Sequence, residues 1–239
     1  MSLDASPGYP PPRKFVIAID GPAGAGKSTV ARRLARHFGL LNLETGAMYR
    51  AFALKVLRAE IPLKEVSGLE ALAAETSISL EPGDDENRVL LDGEDVTGLI
   101  RNQTVTDAAS RVSVFPAIRA WMVRLQQEMG ACGGVVMEGR DIGTVVFPEA
   151  DVKIFLDAPP EVRGMRRFDQ LGPKPAVQPE EVIGELRARD ERDRSRADSP
   201  LKAAPDAVLI DSTRMTLDEV VKTAEAIVTA RLAGIASAL

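Results

Sequence analysis

Residues 21–28 read Gly-Pro-Ala-Gly-Ala-Gly-Lys-Ser, and this G-x-x-x-x-G-K-[ST] spacing demands a strand, a tight loop and a helix in that order. The flanking sequence supplies both. Phe15-Val16-Ile17-Ala18-Ile19 is an apolar, β-branched run that reads as a buried parallel strand. Thr29 to Phe38 then places Val30, Leu34 and Phe38 at i, i+4 and i+8, one face of a helix. Glycine tolerates the backbone angles and close approaches that a Cβ would block. Successive N–H groups of residues 21–29 (Gly21, Pro22, Ala23, Gly24, Ala25, Gly26, Lys27, Ser28 and Thr29, the proline lacking a donor) therefore surround phosphate oxygens at a helix N-terminus. Lys27 reaches the β- and γ-phosphates, and the Ser28 hydroxyl ligates Mg²⁺. A plain turn of small residues does not explain why Lys and Ser follow directly.

Strand and helix patterns alternate along the rest of the chain. Ala47 to Arg58 and Ala117 to Met129 read as helices, with Trp121 as a core residue of the second. Val135-Val136-Met137, Val152 to Leu156 and Ala207 to Ile210 read as parallel strands. Helices rich in Arg and Glu fall at about 160–171 and 179–194, separated by Gly172-Pro173-Lys174-Pro175. A final helix at about 217–233 begins with the capping box Thr216-x-x-Glu219. Residues 76–100 break this pattern. Thr76–Leu80 and Arg88–Leu91 alternate polar and apolar, with Pro82-Gly83 and Asp92-Gly93 as turns, which predicts a small antiparallel insertion. The whole is a three-layer α/β chain whose ligands bind beyond the carboxyl ends of parallel strands. That edge carries the glycine loop, Glu44-Thr45, Glu138 to Asp141, Asp157 and Asp211.

The arginines narrow the chemistry. Arg163, Arg166 and Arg167 lie on one predicted helix, and Arg187, Arg189, Arg192, Arg194 and Arg196 on or just after the next. Singly, each is as well explained by solvated i, i+3 and i, i+4 ion pairs. Together they predict a lid that closes over ATP about Gly172-Pro173 and places cationic forks on a transferring phosphoryl group. Arg50, Arg119 and Arg140 form a second set, suited to another anion facing the donor's γ-phosphate. An acceptor that is itself a phosphate monoester is largely dianionic, with a second pKa of about 6, and attacks without a general base.

These segments resemble the bacterial cytidylate kinases, P-loop nucleoside monophosphate kinases. The matching stretches are Ile19 to Thr29, Thr45-Gly-Ala-Met-Tyr-Arg50, Glu138-Gly-Arg-Asp-Ile-Gly-Thr-Val-Val-Phe-Pro148, Lys153 to Asp157, Arg189-Asp-Glu-Arg-Asp-Arg-Ser-Arg196 and Asp211-Ser-Thr213. The resemblance implies a P-loop kinase domain over residues 15–235, with a nucleoside-monophosphate-binding insert at about 62–112 and a helical lid at about 160–196. It implies Mg²⁺-dependent transfer from ATP to CMP or dCMP. Residues 21–29 then bind ATP, and Thr45, Tyr49, Arg50 and Arg140 hold the CMP phosphate and its surroundings. Ser110, Arg119 and Asp141 read cytosine, while Arg189, Asp193 and Arg196 contact sugar and phosphates. Arg166 and Arg192, with Lys27 and Arg140, stabilise the transferred group. Cytosine offers an N4 donor to Asp141 and acceptors to Arg119, whereas uracil turns its O4 toward a carboxylate. A buried group left unpaired costs roughly 1–3 kcal/mol, so CMP is expected over UMP. Glu138 stands where the family commonly has Asp, and Thr45 where it commonly has Ser.

Bulk properties exclude several other classes. A net charge of −5 lacks the basic stripe of a nucleic-acid-binding surface. One cysteine, Cys132, excludes an intrachain disulfide framework and fits a reducing cytoplasm. No run is long and apolar enough to span a bilayer, and residues 1–14, with Pro10-Pro11-Pro12, read as a flexible extension. No apolar seam calls for a second copy, so a monomer is expected. The residues alone leave two rivals. One is another small-molecule P-loop kinase of shikimate or gluconate type. The other is a GTPase-like switch, which would carry an Asn-Lys-x-Asp guanine reader that does not occur here.

Overall fold

The computed structural model describes residues 14–83, 87–170 and 177–236. The expected extension, apart from Lys14, and the Gly172–Pro175 turn lie outside them. The apolar runs form a five-stranded parallel sheet in the order β2-β6-β1-β7-β8. Its strands are β1 (Val16–Asp20), β2 (Leu41–Glu44), β6 (Val135–Gly139), β7 (Val152–Asp157) and β8 (Val208–Asp211). β1 sits in the middle, Ile19 registering with Glu138 on one side and Ile154 on the other. The chain moves outward from β1 to β2, then returns, so the strand order reverses beside the glycine loop. Open parallel sheets bind ligands at such a point.

Both faces of the sheet are covered, and period-two alternation decides which residue goes where. Ile17 and Ile19 pack with Val30 and Leu34 of α1 (Lys27–Phe38) and with Val221, Ala224 and Val228 of α8 (Leu217–Ala236). Val16 and Ala18 face the other way, toward Met137, Ile142 and Val146. The α8 capping box is formed: the Thr216 N–H donates to Glu219 Oε2 at 2.8 Å, and the Glu219 N–H to Thr216 Oγ1 at 3.3 Å.

The predicted insertion is a three-stranded antiparallel sheet of β3 (Ile78–Glu81), β4 (Arg88–Leu91) and β5 (Glu94–Asp95). Asp92 and Gly93 both take positive φ at its turn, as an Asp-Gly hairpin requires. It shares a core with α2 (Thr45–Arg58), α3 (Val66–Ala74), α4 (Gln103–Val112) and α5 (Pro116–Gly130), through Phe52, Leu69, Ile100, Ile118 and Met122. Trp121 lies edge-on against Phe52, with ring centroids 5.0 Å apart. α6 (Pro160–Asp169) and α7 (Pro179–Ser195) pack side by side beyond β7.

Periodicity did not show how β6 ends. Residues Ile142–Val146 form a single π-helical turn, a geometry that concentrates at functional sites. Asp20, at the end of β1, accepts from the N–H groups of Ile142 at 2.8 Å and Gly143 at 2.7 Å. The turn is thus pinned against the start of the glycine loop.

Candidate active site

The loop between β1 and α1 opens with Gly21 at φ +147°, where a Cβ would lie 2.0 Å from the Leu156 carbonyl oxygen. Only glycine fits. Lys27 is buried and donates from Nζ to the Pro22 carbonyl at 2.8 Å. Burial first, then the Arg140 cation, lower its pKa to about 7, so an anion beside it restores full charge. Ser28 Oγ donates to Glu138 Oε1 at 2.7 Å across the β1–β6 step. Burial pushes the Glu138 carboxyl above its usual range.

Across the cleft, the expected acceptor residues come together from four elements. Thr45 caps β6 by donating from Oγ1 to the Glu138 carbonyl at 2.8 Å. α2 begins at Thr45, two residues earlier than its sequence pattern suggests. Arg50 pairs with Glu44, and Arg140 donates from Nε to Asp193 Oδ2 at 2.9 Å. Arg196 lies 3.6 Å from the other Asp193 oxygen. Burial works against the Asp193 charge, but Arg140, Arg189 and Arg196 hold its pKa below the usual carboxylate range. Arg189 feels the opposite balance. Burial, the Arg140 cation, and then Arg50 and Arg192 lower its pKa to about 10. Cations exceed carboxylates here, and the buried Nε atoms of Arg50, Arg189 and Arg196 have no hydrogen-bond partner among the described residues. Such a cluster is complete only with an anion.

Deeper in, Arg119 and Asp141 form a buried ion pair, and the Arg119 guanidinium stands 5.9 Å from the Tyr49 ring centroid. Burial pushes the Tyr49 phenol up to about 12, so it stays neutral. Ser110 is buried on α4 and accepts from Arg192 Nε at 3.2 Å, which brings α7 onto the insertion. Arg119 Nε is buried and unpartnered, so this recess offers a donor, a carboxylate and a hydroxyl.

Two arginines grouped with the lid stand elsewhere. Arg166 donates to Ser212 Oγ at 3.1 Å and to the carbonyls of Ser212 at 2.6 Å and Met215 at 3.4 Å, so it holds the β8–α8 connection rather than joining the cleft cluster. Arg163 lies beneath the glycine loop, 1% exposed, and pairs with Asp190. An arginine-rich sequence does not separate these roles, because the deciding partners are distant backbone carbonyls.

On the far side of α6 a cavity of about 530 Å³ opens between Pro159, Arg187, Arg194, Leu209, Asp211 and Thr213. Its lining mixes apolar and charged side chains, which suits a planar base. Leu209 is 63% exposed there, on a segment whose sequence reads as a parallel strand.

The cytidylate kinase family model matches residues 17–230, which contain both sides of this cleft. The chain belongs to the cytidylate kinase family. A cytidylate kinase of Solibacter usitatus is 49% identical over 211 residues, covering 87% of this chain and 89% of the relative. One from Pelotomaculum thermopropionicum is 51% identical over 208 residues, covering 86% and 92%. One from Syntrophotalea carbinolica is 48% identical over 211 residues, covering 88% and 90%. Among the described residues no helix is long and apolar enough to cross a membrane. Nor, among the described residues, does any cluster of three or more His, Cys, Asp or Glu side chains stand where it could hold a metal by itself. In this family member a divalent cation at Ser28 and Glu138 would therefore depend on phosphate and water oxygens, the ordinary habit of Mg²⁺.

Proposed function

We propose that the chain transfers the γ-phosphoryl group of ATP to CMP, and to dCMP, giving ADP and CDP or dCDP. Supporting this is the cluster of Arg50, Arg140, Arg189, Arg192 and Arg196, whose buried Nε donors on Arg50, Arg189 and Arg196 lack partners, set opposite Lys27 across one sheet edge. The acceptor phosphate lies among Thr45, Arg50 and Arg140 with one oxygen toward the γ-phosphorus. A bond forms between that oxygen and the γ-phosphorus while the bond to the bridging β,γ-oxygen breaks, and ADP leaves. No side chain removes a proton, because the acceptor is already a dianion. Lys27 and the arginines stabilise charge on the equatorial oxygens. Ser28 and Glu138 would hold Mg²⁺, which would supply positive charge to offset that of the donor phosphates.

The donor base takes the cavity beside Leu209 and Thr213, and cytosine takes the recess of Ser110, Arg119 and Asp141, its N4 amino group toward the carboxylate. Arg189, Asp193 and Arg196 contact the sugar, and Arg192 leaves Ser110 for the transferring phosphoryl. Arg166 acts there only after releasing the β8–α8 connection. The enzyme works as a cytoplasmic monomer. A coupled assay for ADP release over CMP, dCMP, UMP, AMP, GMP and shikimate tests the reading. CMP is expected to exceed UMP in kcat/KM by about 10- to 100-fold, the value of one or two lost polar contacts. Equal values for CMP and UMP refute the base pocket, and turnover of shikimate alone refutes the acceptor class.

A further inference from the structure

Arg163, 1% exposed, is buried to a degree rare for a guanidinium on a surface helix. Its Nε donates to the Ala158 carbonyl at 2.6 Å, where β7 runs into α6. Its Nη1 donates to the Ala23 carbonyl in the glycine loop at 2.7 Å and lies 3.4 Å from Asp190 Oδ1 on α7. Its Nη2 pairs with the other Asp190 oxygen. One planar group thus joins the glycine loop, the end of β7 and α7. We infer that Arg163 is a positioning residue that couples the shape of the donor-phosphate loop to the setting of α7. This rests on the reading of residues 21–29 as that loop.

The geometry gives the reason. A loop that turns its N–H groups inward to an anion turns carbonyls outward, and a buried carbonyl needs a donor. Lys27 occupies the Pro22 carbonyl but must leave it to reach phosphate, whereas Arg163 keeps the Ala23 carbonyl throughout. Its other edge grips Asp190, which is the neighbour of Arg189 and lies less than one turn before Arg192 and Asp193. Fixing Asp190 fixes the rotation of α7 about its own axis. A rotation of about 20° would sweep the helix surface by ~2 Å. Displacements of that size in a catalytic group cost on the order of 100-fold in rate. Lysine lacks the fork needed to serve Ala23, Ala158 and Asp190 together.

The test uses the full chain as wild type, Arg163→Lys and Asp190→Asn, with thermal melts in Mg·ATP or CMP alone and steady-state kinetics well below each Tm. In the wild type each ligand raises Tm. In Arg163→Lys the ATP increment falls by about half or more and kcat/KM for ATP falls at least about tenfold. The CMP increment falls by a smaller fraction than the ATP increment, because Thr45, Arg50, Arg119 and Asp141 stand on elements Arg163 does not touch and only Arg189, Asp193 and Arg196 reach CMP from α7 and its end. Asp190→Asn gives the same split with the arginine retained, and decides the matter if Arg163→Lys does not fold. Wild-type ATP responses in both variants overturn the inference, as do ATP and CMP increments that fall by equal fractions, the mark of general loosening. No ATP increment in the wild type overturns the donor-loop reading, and this inference with it.

Discussion

Asp20 illustrates what a single carboxylate does between two sites. It is 4% exposed, and it receives two backbone N–H groups from the π-helical turn that begins one residue after Asp141. Burial outweighs those bonds, and the nearby Asp141 charge adds to it while Lys27 opposes. The result is a pKa raised from 3.8 to about 6. A carboxyl with a raised pKa binds its proton more tightly in the folded chain than in the unfolded one. Its contribution to stability is therefore complete below pH 3.8 and lost as pH rises through about 6. In nucleotide-free protein, the Tm difference between wild type and Asp20→Asn should grow in favour of wild type as pH falls from about 7.5 to 4.5. Two pKa units correspond to on the order of 3 kcal/mol. Melts across that range check it, and a difference independent of pH would sink it. No sequence pattern announced this residue, since its partners are main-chain groups of residues 142 and 143. Lys27, Ser28 and Thr45 were legible because short spacings on local strand-loop-helix units carry their chemistry. Arg163 and Arg166 look alike in sequence, and only the fold sends one under the loop and the other to the β8–α8 turn.

The paired helices α6 and α7 meet at Gly164. A Cβ built there would lie 2.3 Å from Ile183 Cγ1 and 3.2 Å from Ile183 Cα. Ile183 is β-branched and stiff in a helix, so the helix itself must move. Gly164→Ala gains about 1 kcal/mol of helix propensity. Overpacking of this kind costs about 1–3 kcal/mol. With a main-chain atom as the obstacle, overpacking wins. The variant should melt several degrees lower than wild type and show a reduced kcat, since Arg189 and Arg192 travel with α7. Differential scanning calorimetry alongside the coupled assay checks both, and an unchanged or raised Tm would refute the packing argument. Gly164 carries no mark in the sequence, because the approach of a second helix has no local signature. The helices themselves were legible, as were the strand pairing of β3 with β4 and the Asp92-Gly93 turn that leads from β4 into β5. The π-helical turn was not, since Ile142-Gly-Thr-Val-Val146 has no period that distinguishes it from a short strand.

The molecule as a whole carries a charge of −5, yet its cleft concentrates arginines and Lys27 on one side of one sheet. Beyond a Debye length of about 10 Å the net charge is largely screened, so capture depends on the local cluster. The chain arranges this by parallel topology. The donor loop leaves β1, the acceptor groups leave β2 and β6 or begin α2, and β1 and β6 are neighbours in register from Val16↔Val135 to Asp20↔Gly139. Two phosphate grips on adjacent strand ends can be occupied by one molecule. Cytidine and adenosine joined 5′ to 5′ through five phosphates should therefore bind both at once. The second contact then becomes intramolecular, with an effective concentration in the millimolar range for a short linker, and avidity gains of about 10²–10⁴ follow. The conjugate should compete with both ATP and CMP and bind at least about 100-fold more tightly than either. An analogue joined through two phosphates cannot span from Lys27 to the cytosine recess while filling the donor cavity, and should lose that gain. Steady-state inhibition patterns decide it. Competition with ATP alone would place the acceptor site away from the donor phosphates and overturn the shared-edge arrangement.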